Sequence, residues 1–207
     1  KIFSEYYLIA FLFYLSHEVI FHEWIQIRAG LASAMVLPMM YYLQIDNKKK
    51  FMILYIISSL IHYVSVISII LLWIDRPLKI KWLFMGLFIS LLIYQFKITG
   101  FFFNLFDNYG LLPPLVKLYL NYELYTYPAS LFHPKTFQQI VTSFLLLFIL
   151  NGRRYYSKNI NHGIINIYIL STMFQIAFND FGIFAFRTAG HFYVVEPLII
   201  TYLISFF

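Results

Sequence analysis

The stretch FMILYIISSLIHYVSVISIILLWI, Phe51–Ile74, runs for 24 residues without a Lys, Arg, Asp or Glu and carries one histidine near its middle. About 20 apolar residues in a helix cross a bilayer, so the stretch is long enough for one ordinary span. The basic residues on either side make that simple reading awkward. NKKK (47–50) precedes the run and DRPLKIK (75–81) follows it. One crossing would put these two basic loops on opposite sides of the membrane, and with every other run also crossing, Lys and Arg would divide almost evenly. If the chain instead enters and returns on one side, ten basic residues (Lys1, Lys48, Lys49, Lys50, Arg76, Lys79, Lys81, Arg153, Arg154, Lys158) face five (Arg28, Lys97, Lys117, Lys135, Arg187). Cytoplasmic loops are enriched in Lys and Arg, so the second arrangement is preferred. Two arms of about 11 residues, rising about 1.5 Å each, reach only about halfway across the core. The expected tip is Ile61-His62-Tyr63. Such a re-entrant hairpin is tolerated where protein or a watery cavity surrounds its tip.

Other apolar runs lie at 6–21, 28–45, 82–96, 136–150, 160–178 and 192–207. The chain is 61% hydrophobic, 22% aromatic and 12% charged, about half the charge of a soluble domain. The expectation is therefore an all-α, polytopic integral membrane protein. Residues 1–207 are expected to form one transmembrane domain, apparently part of a longer chain, since the sequence opens on Lys1 without an initiator methionine. Without cysteine there is no disulfide framework and no thiolate metal site. The net charge of +6 marks membrane sidedness, not nucleic acid. Segment 97–135 contains Pro113, Pro114, Pro128 and Pro134, which exclude one continuous helix. Its ten Tyr and Phe residues point to short interfacial helices on the outer face.

With the hairpin in place, Arg28, the long segment and the 179–191 loop bearing Arg187 all fall on the outer side. Arg28 opens RAGLASA, whose Gly30, Ser33 and Ala34 allow a neighbouring helix to approach closely. A buried arginine between helices and an arginine snorkelling to headgroups both fit it. Arg187 sits between Gly182 and Gly190, with Pro197 beyond; its alternative is a helix-end arginine at the interface. His62 is either a satisfied core histidine or a base. HEVIFHE (17–23) resembles a zinc signature, but His17 and His22 are five apart where the motif needs four, which leaves only a Glu18–His22 pair at helical spacing. Asp107, Glu123 and Asp180 are carboxylates near the outer face, each solvated or catalytic. Glu196, beside Pro197, reads as structural. No nucleotide-binding glycine pattern is present.

Three stretches, IRAGLASAM (27–35), SSLIHYVSVI (58–67) and FRTAGHFYVVEPLI (186–199), occur in an order that resembles the EpsG-like family of bacterial polysaccharide polymerases, relatives of Wzy-type O-antigen polymerases. Arg28, His62 and Arg187 fall on that family's pattern. Ala29 stands where the family often has glutamine, and Gly190-His191 where tyrosines are common. The resemblance implies a GT-C-like helical bundle acting as a metal-independent glycosyltransferase with no cofactor. It would join oligosaccharide repeat units carried on undecaprenyl pyrophosphate at the outer, periplasmic face of the bacterial inner membrane, yielding O-antigen, capsule or exopolysaccharide. Expected partners are those lipid-linked oligosaccharides, membrane lipids and a chain-length regulator protein. Arg28 and Arg187 would neutralise the departing pyrophosphate, and His62 or an outer carboxylate would serve as base. Expected substrate contacts are His191, Asp107, Tyr122 and Glu123. An O-antigen ligase, a lipid-linked oligosaccharide flippase and a non-catalytic scaffold are the alternatives.

Overall fold

The computed structural model describes residues 27–74, 78–112, 131–150 and 162–204, with the isolated positions 11–12, 76, 114 and 117. HEVIFHE, Tyr122, Glu123, Pro113, Pro128 and the 151–158 loop lie outside the described residues. Among the described residues every regular element is helical.

The 28–45 run forms two helices, α1 (Ile27–Ala34) and α2 (Val36–Gln44). Pro38 explains the interruption. It donates no N–H, and its ring crowds the carbonyl four residues back, at Ala34. Asn47 then accepts a side-chain bond from the Lys50 amide at 3.1 Å and caps α3 (Lys48–Ile61). Helix α3 stops at His62, whose φ of −146° and ψ of 120° are extended. The chain turns there, and the Tyr55 hydroxyl donates to the Val66 carbonyl at 3.3 Å, tying the two arms together.

The return arm departs from the two α-helical arms expected. Residues Tyr63–Ile70 wind as a 3₁₀ helix before a single turn of α-helix, α4 (Leu71–Ile74). With about three residues per turn, every third side chain lines up. Ser65, Ser68, Leu71 and Ile74 are the buried row, and two small hydroxyls in that row let the tight winding lie close to its neighbours.

Helix α5 (Ile80–Gln95) ends at Lys97, which adopts a left-handed φ of 51°, and α6 (Ile98–Asn108) leaves at 62° to α5. Together this bent pair is long and apolar enough to cross a membrane; among the described residues no single helix is. Helix α7 (Pro134–Ile149) starts with proline at its first position, where the absent N–H would have had no helical acceptor.

Helix α8 (His162–Ala177) is buried on nearly every side, as expected of an element surrounded by others. It touches α4, α5, α7 and the C-terminal elements. The expected loop 179–191 is not a loop. It contains the 3₁₀ turn Asn179–Phe181 and α9 (Gly182–Gly190). The two glycines that flank Arg187 are this helix's first and last residues. The turn Tyr193–Val195 then leads into α10 (Glu196–Ile204).

Beside the apolar core, the first turns of α7 turn polar residues inward and large apolar ones outward, the reverse of a helix on a protein folded in water. On α7, Thr136, Gln139, Thr142 and Ser143 face inward, while Phe137, Val141, Phe144, Leu145 and Phe148 face out. Trp82, Met85, Phe88, Ile89 and Leu92 are likewise exposed on α5. Exposed apolar surface on this scale is favourable only where lipid or another apolar partner covers it.

Candidate functional site

The site is built from three elements that are remote in sequence. Arg28 is the second residue of α1 and is exposed. His62 is the extended residue between the two arms of the hairpin and is half-buried. Arg187 lies in the last turn of α9, also half-buried. Its positive charge there complements the partial negative charge of the helix C-terminus. The charges of Arg187 and Arg28 both act on the His62 imidazole. Three side chains brought from opposite ends of the described chain thus share one neighbourhood.

His191 is at the centre of that arrangement but not as expected. It is 2% exposed. Its Nδ1 is 3.1 Å from the Ser33 hydroxyl and its Nε2 is 2.7 Å from the Ser68 hydroxyl. A neutral imidazole has one N–H and one lone pair, so one serine accepts and the other donates. Both ring nitrogens are occupied, which leaves none for a sugar. His191 lies between the last two apolar runs, and burial, with the neighbouring His62 adding to it, lowers its pKa to about 3. It is therefore neutral at any physiological pH.

Asp107, half-exposed, forms an ion pair with Lys117 through one carboxylate oxygen at 2.8 Å. Asp180 follows Asn179 at the α8–α9 corner, where burial raises its pKa against the opposing effects of the Lys97 charge and the Gly100 N–H. The corner is sealed by Phe103 of α6, whose ring meets Phe181 at 4.9 Å and Phe184 at 6.2 Å. The Thr99 hydroxyl adds a bond to the Ala177 carbonyl at 2.6 Å. Tyr122 and Glu123 lie outside the described residues. Among the described residues no group of three or more His, Cys, Asp or Glu side chains is arranged to hold a metal ion.

Sequence reasoning missed several residues. Ser33 looked like a small packing residue, and Ser68 was not singled out at all. Lys135 was counted only as an outer basic residue, yet it forms an ion pair with Glu196, which is 1% exposed. The Gln138 amide donates to the same carboxylate at 3.1 Å, and the Lys135 ammonium lies 5.6 Å from the centre of the Tyr193 ring. An ionisable pair inside an apolar bundle was signalled only by Glu196 standing in the run that ends the chain.

Chemically, two guanidiniums offer planar forks of donors suited to phosphate oxygens. The imidazole beside them offers a nitrogen lone pair that can accept a proton. No curated protein and no solved structure matches the chain. The model of the EpsG family matches residues 1–207, the whole length given. The chain belongs to the EpsG family, polymerase-type membrane proteins of polysaccharide biosynthesis.

Proposed function

We propose that the chain is the glycosyltransferase core of a polysaccharide polymerase, joining repeat units carried on undecaprenyl pyrophosphate at the outer face of the bacterial inner membrane. One observation carries the reading: the His191 ring, bonded to Ser33 and Ser68, brings together the three segments that carry Arg187, Arg28 and His62. A hydroxyl oxygen of the incoming unit bonds to the anomeric carbon of the growing chain. The bond from that carbon to the pyrophosphate oxygen breaks, and its electron pair leaves with the pyrophosphate. Arg28 and Arg187 neutralise the charge that develops, a contribution of about 3–4 kcal/mol for one well-placed donor in a water-poor site. His62 takes the hydroxyl proton. The guanidiniums occupy the role that a divalent ion has in many other sugar transferases.

The test is Arg28→Ala and Arg187→Ala in the intact protein, with Arg154→Ala as the control. Polymer is resolved by length on a gel, and lipid-linked repeat units are counted on each face of the membrane. Both site variants lose polymer and accumulate single repeat units on the outer face, while the control makes normal polymer. Accumulation on the inner face instead identifies a flippase. Normal polymer from both site variants rejects the mechanism.

A further inference from the structure

Each of the three expected reacting side chains stands four to six residues before one of the three partners of a hydrogen-bonded junction. Ser33 follows Arg28 by five residues, Ser68 follows His62 by six, and His191 follows Arg187 by four. The junction joins Ser33, His191 and Ser68 through the two nitrogens of a single ring, at 3.1 and 2.7 Å. A five-membered ring bonded on both sides has little freedom to translate or rotate. It therefore holds α1, the 3₁₀ arm and the end of α9 at a fixed mutual spacing.

We propose that His191 is a positioning residue that sets the relative placement of Arg28, His62 and Arg187. The proposal rests on the polymerase reading for its effect on turnover but not for the geometry itself. Three features make the junction suited to this. His191 and Ser68 are buried, so water does not compete for the bond between them. The Ser58 hydroxyl donates to the Ala32 carbonyl at 3.0 Å, giving α1 and the outgoing arm of the hairpin a second fixed point one residue from Ser33. The Ser171 hydroxyl donates to the Ala189 carbonyl at 3.1 Å, which anchors the end of α9 to α8 two residues before His191. The imidazole thus connects two parts of the bundle that are each already fixed. Besides this ring, the return arm is tied by packing, by the Tyr55–Val66 bond beside the hairpin's turn, and at its far end by the Asn166 amide, which donates to the Ile74 carbonyl at 2.8 Å.

The test measures geometry and turnover separately. The chain has no cysteine of its own, so Ile27→Cys and Leu60→Cys can carry spin labels; both positions are exposed, at 72% and 82%. Pulsed dipolar spectroscopy then reads the distance between the Arg28 end of α1 and the His62 end of the hairpin. A narrow distribution is expected in the parent, broadened by His191→Ala and by Ser68→Ala. The same two substitutions, without labels, lower kcat by about ten- to a hundredfold, the scale of loss for a misplacement of about 1 Å. KM for the host's lipid-linked repeat unit is unchanged. If His191→Ala does not accumulate in the membrane, Ser33→Ala and Ser68→Ala, each losing one bond, carry the test. An unchanged distance distribution overturns the proposal, as does lost polymer with unchanged geometry, which means that His191 meets substrate. A folded fraction with full kcat makes the junction merely structural and also overturns it. Normal polymer from Arg28→Ala and Arg187→Ala rejects the polymerase reading alone, and the distance measurement still decides the geometry.

Discussion

Lys135 and Glu196, 61 residues apart, form an ion pair inside the bundle, with the carboxylate almost wholly shielded. The pair joins the first turn of α7 to the first residue of α10. Removing one member leaves the other charge buried and unpaired, which costs about 3–5 kcal/mol. Lys135→Ala should therefore destabilise the protein strongly in a detergent unfolding titration. Replacing both residues, as Lys135→Met with Glu196→Leu, should recover most of the loss. Equal loss in the single and double variants rejects this account.

The buried imidazole of His191 has a consequence for acid stability. Its pKa is lowered from 6.5 to about 3 in the folded protein. Below pH 6.5 the unfolded chain binds a proton at this position that the folded chain refuses. Its contribution should thus lower stability progressively as pH falls from 6.5 towards about 3, and have no effect above that window. Unfolding of the parent and of His191→Gln, compared at pH 7 and pH 5, should show the larger pH-dependent loss in the parent.

Arginine at position 187 should not be replaceable by lysine. Lysine keeps the charge but loses the planar fork. Arg187→Ala should reduce polymer formation by about 10²–10³-fold, the loss typical of one preorganised donor. Arg187→Lys should fall between that level and the parent. Full activity in the lysine variant means that charge alone suffices.

The parity of the basic loops makes a direct prediction about sidedness. Lys49 and Lys79 are both exposed and flank the hairpin. In intact cells, Lys49→Cys and Lys79→Cys should both resist a membrane-impermeant thiol reagent and both react after the membrane is opened. Labelling of position 79 but not 49 in intact cells means that the 51–74 stretch crosses once.

The break at His62 was legible because charge bookkeeping on the flanking loops demands a reversal somewhere in 51–74, and a polar imidazole is the natural tip. The 3₁₀ winding was not, although Ser65 and Ser68 at a spacing of three signal it in retrospect. Arg28, His62 and Arg187 stood out as charged or titratable groups in apolar surroundings, where polar residues have few neutral explanations. His191 stood out for the same reason, but its serine partners did not. Nothing local indicates that both ring nitrogens meet serines 158 and 123 residues away. The 179–191 segment was read as a loop because it lies between two long apolar runs, whereas packing on α8 accompanies its folding into a 3₁₀ turn and α9.

The inward hydroxyls and outward aromatic rings reverse the usual map of mutational tolerance. Expulsion of water does not drive helices together in lipid; close contact and hydrogen bonds do. The outward Phe137, Phe144 and Phe148 can exchange with leucine or isoleucine at little cost, since one apolar shape in lipid is nearly as good as another. The small inner hydroxyls of Ser58, Ser143 and Ser171, each bonded to another helix, have no such substitutes. For this molecule, variation belongs to the large greasy positions and constancy to the modest polar ones.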